Sequence, residues 1–78
     1  MSNEELKEKY SMFTSAWRFY KKYADVQEDD SYWEAVVNES SAIAKQYGER
    51  KLIIDLVLAV ITEFERVYKE MRKNAETQ

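Results

Sequence analysis

The chain has no cysteine, no histidine, no proline and one glycine among its 78 residues. The lack of cysteine excludes disulfides and thiolate metal sites. The lack of histidine removes the commonest zinc ligand and the commonest general base near neutral pH. With a single glycine and no proline, the turn residues that an all-β fold needs roughly every 8–12 positions are almost wholly missing. What is abundant instead is Glu, Lys, Ala and Leu, which favour helix. The composition predicts an all-α protein.

Seventy-eight residues accommodate one domain, expected to span positions 1–78. A chain this short buries only about 60% of the surface its unfolded form exposes. Small domains supplement such a core with disulfides, a metal or self-association, and here self-association is what the composition leaves. Fifteen acidic against twelve basic residues give a net charge of −3, which argues against tight binding to nucleic acid or anionic membrane. No secretory leader pattern opens the sequence, so the expected location is cytoplasmic.

The longest apolar run is Leu52 to Ile61, in which Asp55 is the one polar residue. On a helix this run is apolar all the way round and must be enclosed on most sides by protein. It is too short to span a bilayer, which needs about 20 apolar residues.

Periodicity and caps predict a three-helix bundle, with helices at about 3–24, 31–47 and 50–73. Ser2 to Glu5 matches a capping box at the start of the first helix. That helix carries two apolar stripes: Leu6, Tyr10, Phe13, Trp17, Tyr20 and Ala24, and then Met12, Ala16, Phe19 and Tyr23. Residues 25–30 are acidic and lack apolar period, which reads as an exposed connector. Asp30 or Ser31 is the expected cap of the second helix, with Ser31 to Glu34 as a second capping box. Tyr32, Trp33, Val36, Val37, Ser40, Ile43, Ala44 and Tyr47 share its apolar face. Gly48 stands where a left-handed C-terminal cap belongs. The third helix closes with a Glu65–Lys69 pair on its exposed face and a polar, frayed tail at 74–78.

The third helix has more apolar surface than two neighbours can cover. Ile53, Val57, Val60 and Phe64 form one line, Ile54, Leu58 and Ile61 a second, and Leu52, Leu56 and Ala59 a third. The surplus predicts a homodimer built around the first and third helices. Met12, Phe19, Tyr23, Ile54, Leu58 and Ile61 are its expected interface residues, because aromatic and large apolar groups dominate binding energy there.

No catalytic constellation, cofactor site or metal site is expected. Di-metal bundles of the Glu-x-x-His type require histidine. A magnesium-dependent all-α nucleotide hydrolase requires carboxylates on one inward face. Glu34 and Glu39 are five apart, and Glu63 and Glu65 face different sides. Asp55 reads as a solvated residue near the positive end of the third helix, with a buried acid–base role as the alternative. Ser40 and Ser41 lack any histidine, lysine or oxyanion loop, and read as small hydroxyls bonding back to the helix carbonyls. The acidic connector lacks the glycine and terminal glutamate of a calcium loop. Arg18, Lys21 and Lys22 interleave with Trp17, Phe19, Tyr20 and Tyr23, as in single-strand nucleic-acid binders. Helical projection, however, places Arg18 and Lys22 opposite the aromatic stripes.

Trp17-x-Phe19-Tyr20-Lys21-Lys22-Tyr23, Asp30-x-Tyr32-Trp33-Glu34-x-Val36, Tyr47-Gly48 and Leu56-x-x-Ala59-Val60-x-x-Glu63 together resemble short uncharacterised helical proteins of bacteria and of their phages or mobile elements. The resemblance covers about residues 12–70. It implies an all-helical cytoplasmic protein and transfers no site residues. The expected function is therefore non-enzymatic protein–protein interaction as a homodimer. The alternative is a nucleic-acid accessory protein using Arg18, Lys21 and Lys22.

Overall fold

Ser2 begins the fold by capping the first helix: its hydroxyl accepts from the Glu5 main-chain N–H at 3.1 Å and lies 3.3 Å from the Glu5 carboxylate. The computed structural model describes residues 1–76, which form α1 (Asn3–Tyr23), α2 (Asp30–Gln46) and α3 (Lys51–Glu76). The chain is all-α, and the three helices pack on one another as a bundle.

Each boundary has a local cause. The cap of α2 is Asp29, not Asp30 or Ser31: its carboxylate accepts from the Tyr32 N–H at 3.3 Å and from the Ser31 hydroxyl. With Asp29 in that role, Ser31 lies inside the first turn and the predicted Ser31–Glu34 capping box does not form. Gly48 does end α2 as expected. Its φ of +71° is left-handed, and its N–H bonds Lys45 O at 3.1 Å while the Glu49 N–H bonds Ala44 O at 2.8 Å. That pair of bonds satisfies two orphan carbonyls of the last turn. Glu49 follows in the same left-handed region, at φ +55°. The third helix does not fray at 74 as predicted but continues to Glu76, and residues 77–78 of that predicted tail lie outside the described residues.

Ion pairs and ring contacts fix the helix directions. Arg50, at the start of α3, pairs with Glu8 near the start of α1, and Phe64 meets Phe19 further along both. Helices α1 and α3 therefore run in the same direction. Tyr32 meets Tyr23 at one end of α2, and the Tyr47 hydroxyl meets Ser15 at the other, at 2.8 Å. Helix α2 runs back between them.

The core is Met12, Ala16 and Phe19 of α1, Tyr32 and Val36 of α2, and Ile53, Val57 and Phe64 of α3, with Val26 from the connector. Val26 corrects the reading of 25–30 as wholly exposed: five of the six residues are exposed, but Val26 is buried in the same cluster. A single apolar residue among charges has no period to reveal it. Rings link the layers, with Phe64 in contact with Phe19, Tyr20 and Tyr32, and Trp33 reaching Tyr68. The molecule is elongated, 54 Å by 21 Å by 18 Å. Its radius of gyration of 14.7 Å exceeds the about 11–12 Å of a compact chain this long. Length at this slenderness leaves much helix surface without a neighbour.

Candidate functional site

The two stripes of α1 take the opposite roles to those predicted. Met12 and Phe19, expected at an interface, are 0% and 1% exposed and form the centre of the core. Leu6, Tyr10, Phe13 and Trp17, the longer stripe, stand 53%, 74%, 54% and 56% exposed. The physical reason lies in the neighbours. Helix α2 packs on the side of α1 that carries Ser15, Lys22 and Tyr23, and α3 on the side that carries Phe19 and Tyr20. The stripe shared by both partners is Met12, Ala16 and Phe19, and the other faces away from α2. Tyr23 is half-buried, with its ring edge-on to Phe19 and its hydroxyl donating to Glu39 at 3.1 Å. Loss of surrounding water holds the Tyr23 phenol above its ordinary range.

On α3 the three apolar lines separate. Ile53, Val57 and Phe64 are buried and Val60 is half-buried. Ile54 and Ile61 are half-buried, on the flank from which Tyr68 reaches Trp33 of α2. Leu58, the remaining predicted interface residue of that line, is 53% exposed. Leu52 and Leu56 are half-buried and Ala59 is exposed, on the flank toward α1.

Trp17 and Tyr20, at the far end of the longer α1 stripe, share one apolar surface with Leu56 and Ala59 of this third line. Between them runs an open groove of about 360 Å³, lined by Ala16, Trp17 and Tyr20 of α1 and by Leu56, Ala59, Val60 and Glu63 of α3. Trp17 stacks on Tyr20 at 5.8 Å, and Tyr20 stacks in turn on buried Phe64 at 5.7 Å. The exposed indole is thus the outer end of a ring column anchored in the core. A hollow of about 410 Å³ on α2 is lined by Asp30, Trp33, Glu34, Val37 and Asn38, and is far more polar.

Of the three basic residues singled out on α1, Lys21 edges the apolar face. The Lys21 ammonium sits 5.7 Å from the Trp17 ring centre, within cation–π range. This corrects one part of the sequence reading, since a cation and an exposed ring do share a surface. Lys22 is bound to Glu39 at 2.7 Å, which keeps its ammonium protonated above the usual lysine range. Arg18 is exposed.

The carboxylates considered for metal or acid–base chemistry are dispersed. Asp55 is exposed and pairs with Lys51 at 2.7 Å, as the solvated reading expects. Glu63 is held by Arg66, which lowers its pKa, and Arg66 also bonds Glu70 at 2.7 Å. Along this stretch of α3 the exposed face is paired through Glu63–Arg66 and Arg66–Glu70, where Glu65–Lys69 was expected. Arg50 lowers the pKa of Glu8 in the same way. Among the described residues, no group of three or more such side chains is placed to hold a metal ion. The Ser40 hydroxyl donates to Val37 O at 2.8 Å, three residues back rather than the four expected. No helix among the described residues is long and apolar enough to cross a membrane.

No protein family, no curated protein and no solved structure matches this chain.

Proposed function

We infer that this chain acts by protein–protein contact rather than by catalysis, and that it does so as a homodimer. The observation that carries this reading is the exposed row Leu6, Tyr10, Phe13 and Trp17, whose Trp17 end shares the groove with Leu56 and Ala59. Aromatic side chains of about 150–250 Å² each, more than half bare, leave on the order of 450 Å² of apolar surface with Leu6. That falls in the range of the largest patches on monomers, about 300–600 Å², which are often functional. Here it stands on a chain whose whole accessible surface is 5778 Å². Tyr and Trp are also the residues that anchor interfaces most strongly.

The non-catalytic half of the reading is supported by where acidity shifts. Glu8 and Glu63 are lowered by the arginines that pair with them and Asp29 by a cap hydroxyl, which is the pattern of structural pairing. Light scattering over micromolar to millimolar concentration tests the reading: it expects a mass approaching twice 9.3 kDa. A mass of 9.3 kDa throughout overturns the homodimer.

One observation favours a second reading, in which the chain binds single-stranded nucleic acid. Lys21 lies against exposed Trp17, the pairing that stacking platforms use, and Arg18 is available beside it. Lys22 is taken by Glu39 and contributes less than the sequence suggests. A mobility shift at low salt supports it, and its absence there ends it, because phosphate-driven binding is strongest at low salt.

A further inference from the structure

We propose that the outer face of α2 around Trp33 is a second contact surface, which takes an arginine-bearing basic segment of another protein. A guanidinium lies against the Trp33 indole and is bonded by the Asp30 and Glu34 carboxylates. This goes beyond the homodimer reading, because none of these residues belongs to the α1 row on which that reading rests.

Charge is the first observation. Residues 23–44 hold six carboxylates, Asp25, Glu28, Asp29, Asp30, Glu34 and Glu39, and no lysine or arginine. All twelve cations of the chain, with the other nine carboxylates, lie outside that stretch, so its acidity is local and not a property of the whole molecule. Of the six, Glu39 is met by Lys22 and Asp29 caps α2. Among the described residues, Asp30 and Glu34 form neither an ion pair nor a side-chain hydrogen bond. Standing four apart on one helix, they are neighbouring like charges, and a cation placed between them relieves their repulsion.

Shape is the second. Asp30, Trp33, Glu34, Val37 and Asn38 follow the i, i+3, i+4, i+7, i+8 spacing of a single helix face, and they line the open hollow of about 410 Å³. The half-buried indole stands at right angles to Tyr32, at 4.9 Å, and nearly so to Tyr68, at 5.6 Å. Its position is set before a ligand arrives, which lowers the ordering cost of binding. Val37, 56% exposed, offers apolar surface to the methylene stem of an arginine. Asn38 adds a side-chain carbonyl that can accept a further N–H.

The chemistry of this set selects the occupant. A guanidinium carries five donors in a planar fork, enough for two carboxylates, while its flat face stacks on an aromatic ring. A lysine ammonium is a compact point charge that meets the carboxylates less specifically. A divalent ion would use the carboxylates and leave the indole without a role. Nucleic acid and anionic lipid are repelled by this end of the molecule. On the α3 side of Trp33, Lys69 lines a separate hollow with Glu65 and Tyr68, which places the incoming cation on the Asp30–Glu34 side.

The test titrates the unaltered chain into a fluorescein-labelled peptide alternating arginine with alanine, read by anisotropy. The lysine counterpart of the peptide, and spermine as a competitor, are run beside it. Asp30→Asn with Glu34→Gln removes both charges and keeps the side-chain shapes. Asp55→Asn with Glu70→Gln removes two charges from exposed positions of α3 and controls for net charge. Circular dichroism confirms equal helix content. The arginine peptide is expected to bind the unaltered chain several-fold more tightly than the lysine peptide. Binding should weaken about tenfold or more in the Asp30, Glu34 variant and less than about twofold in the Asp55, Glu70 variant. No binding of the arginine peptide even at low salt overturns the proposal, as does an Asp30, Glu34 variant that binds like its parent or a control weakened equally. A lysine peptide that binds as tightly, or spermine that displaces the arginine peptide at matched charge, also overturns it, in favour of general attraction of cations. Light scattering on the same samples reads the homodimer separately, so failure of either reading leaves the other standing.

Discussion

The Tyr32 hydroxyl donates to the main-chain carbonyl of Tyr23 at 2.7 Å, tying the last residue of α1 to the first turn of α2. The bond closes the connector from the inside and satisfies one of the orphan carbonyls at the end of α1. The Tyr32 ring is buried against Tyr23, Trp33 and Phe64, and burial holds its phenol above the ordinary range. Tyr32→Phe keeps the ring and removes only the donor. The expected loss is about 0.5–1.5 kcal/mol, measured by urea unfolding. A change within error would show that water replaces the hydroxyl without cost.

Val26 ties the same connector to the core. Val26→Ala removes two buried methyl groups, and a loss of about 1–3 kcal/mol is expected in the same assay. Val26→Asp should unfold a larger fraction still, because the added carboxylate has no cation among its core neighbours. Were Val26→Asp as stable as the parent chain, the connector would be a solvated strap and Val26 no part of the core.

Exchange of the two α1 stripes gives a paired test. Phe19→Ala empties a fully buried site and should cost about 3–5 kcal/mol. Phe13→Ala lies on the open face and should change stability by no more than about 0.5 kcal/mol. Both are measured at low micromolar protein, where association adds little to apparent stability. The reverse order would restore the arrangement predicted from the sequence.

Acid should destabilise the fold in a definite window. Folding lowers the pKa of Asp29 through the Ser31 hydroxyl and the Tyr32 N–H, and those of Glu8 and Glu63 through Arg50 and Arg66. The folded state therefore binds these protons less tightly than the unfolded one. Their contribution is fully present above the ordinary carboxylate range and is lost as pH falls through the folded-state values. The melting temperature should hold between about pH 7 and 5 and drop below about pH 4. Asp29→Asn keeps a capping oxygen while removing one of these titrations, so its drop should be smaller. A melting temperature that rises on acidification contradicts this linkage.

Much of the architecture was legible because it depends on local chemistry. Ser2 and Gly48 act where their residue types act in most helices, as a cap acceptor and as a left-handed stop. The Ile53–Val57–Phe64 line is buried in any three-helix arrangement. The roles of the α1 stripes were not legible, because both carry aromatics at helical spacing and only the positions of α2 and α3 decide which one is enclosed. Length misled as well: Leu6, Tyr10, Phe13, Trp17, Tyr20 and Ala24 made the longer stripe, yet most of it faces away from α2. Asp29 is hard to recognise as the cap from sequence because Ser31 and Glu34 two residues later have the capping-box spacing. Exposed apolar surface is present, but most of it is on α1, at Leu6, Tyr10, Phe13 and Trp17, and not on the third helix, where the sequence places it.

The account stands on that face being adhesive. Sedimentation equilibrium of the unaltered chain beside a Phe13→Ser, Trp17→Ser double variant tests it most directly, with circular dichroism confirming equal helix content. The expected result is an average mass rising with concentration from 9.3 kDa toward twice that for the unaltered chain, and a constant 9.3 kDa for the variant. An unaltered chain fixed at 9.3 kDa, or a variant that associates as strongly as its parent, would contradict it.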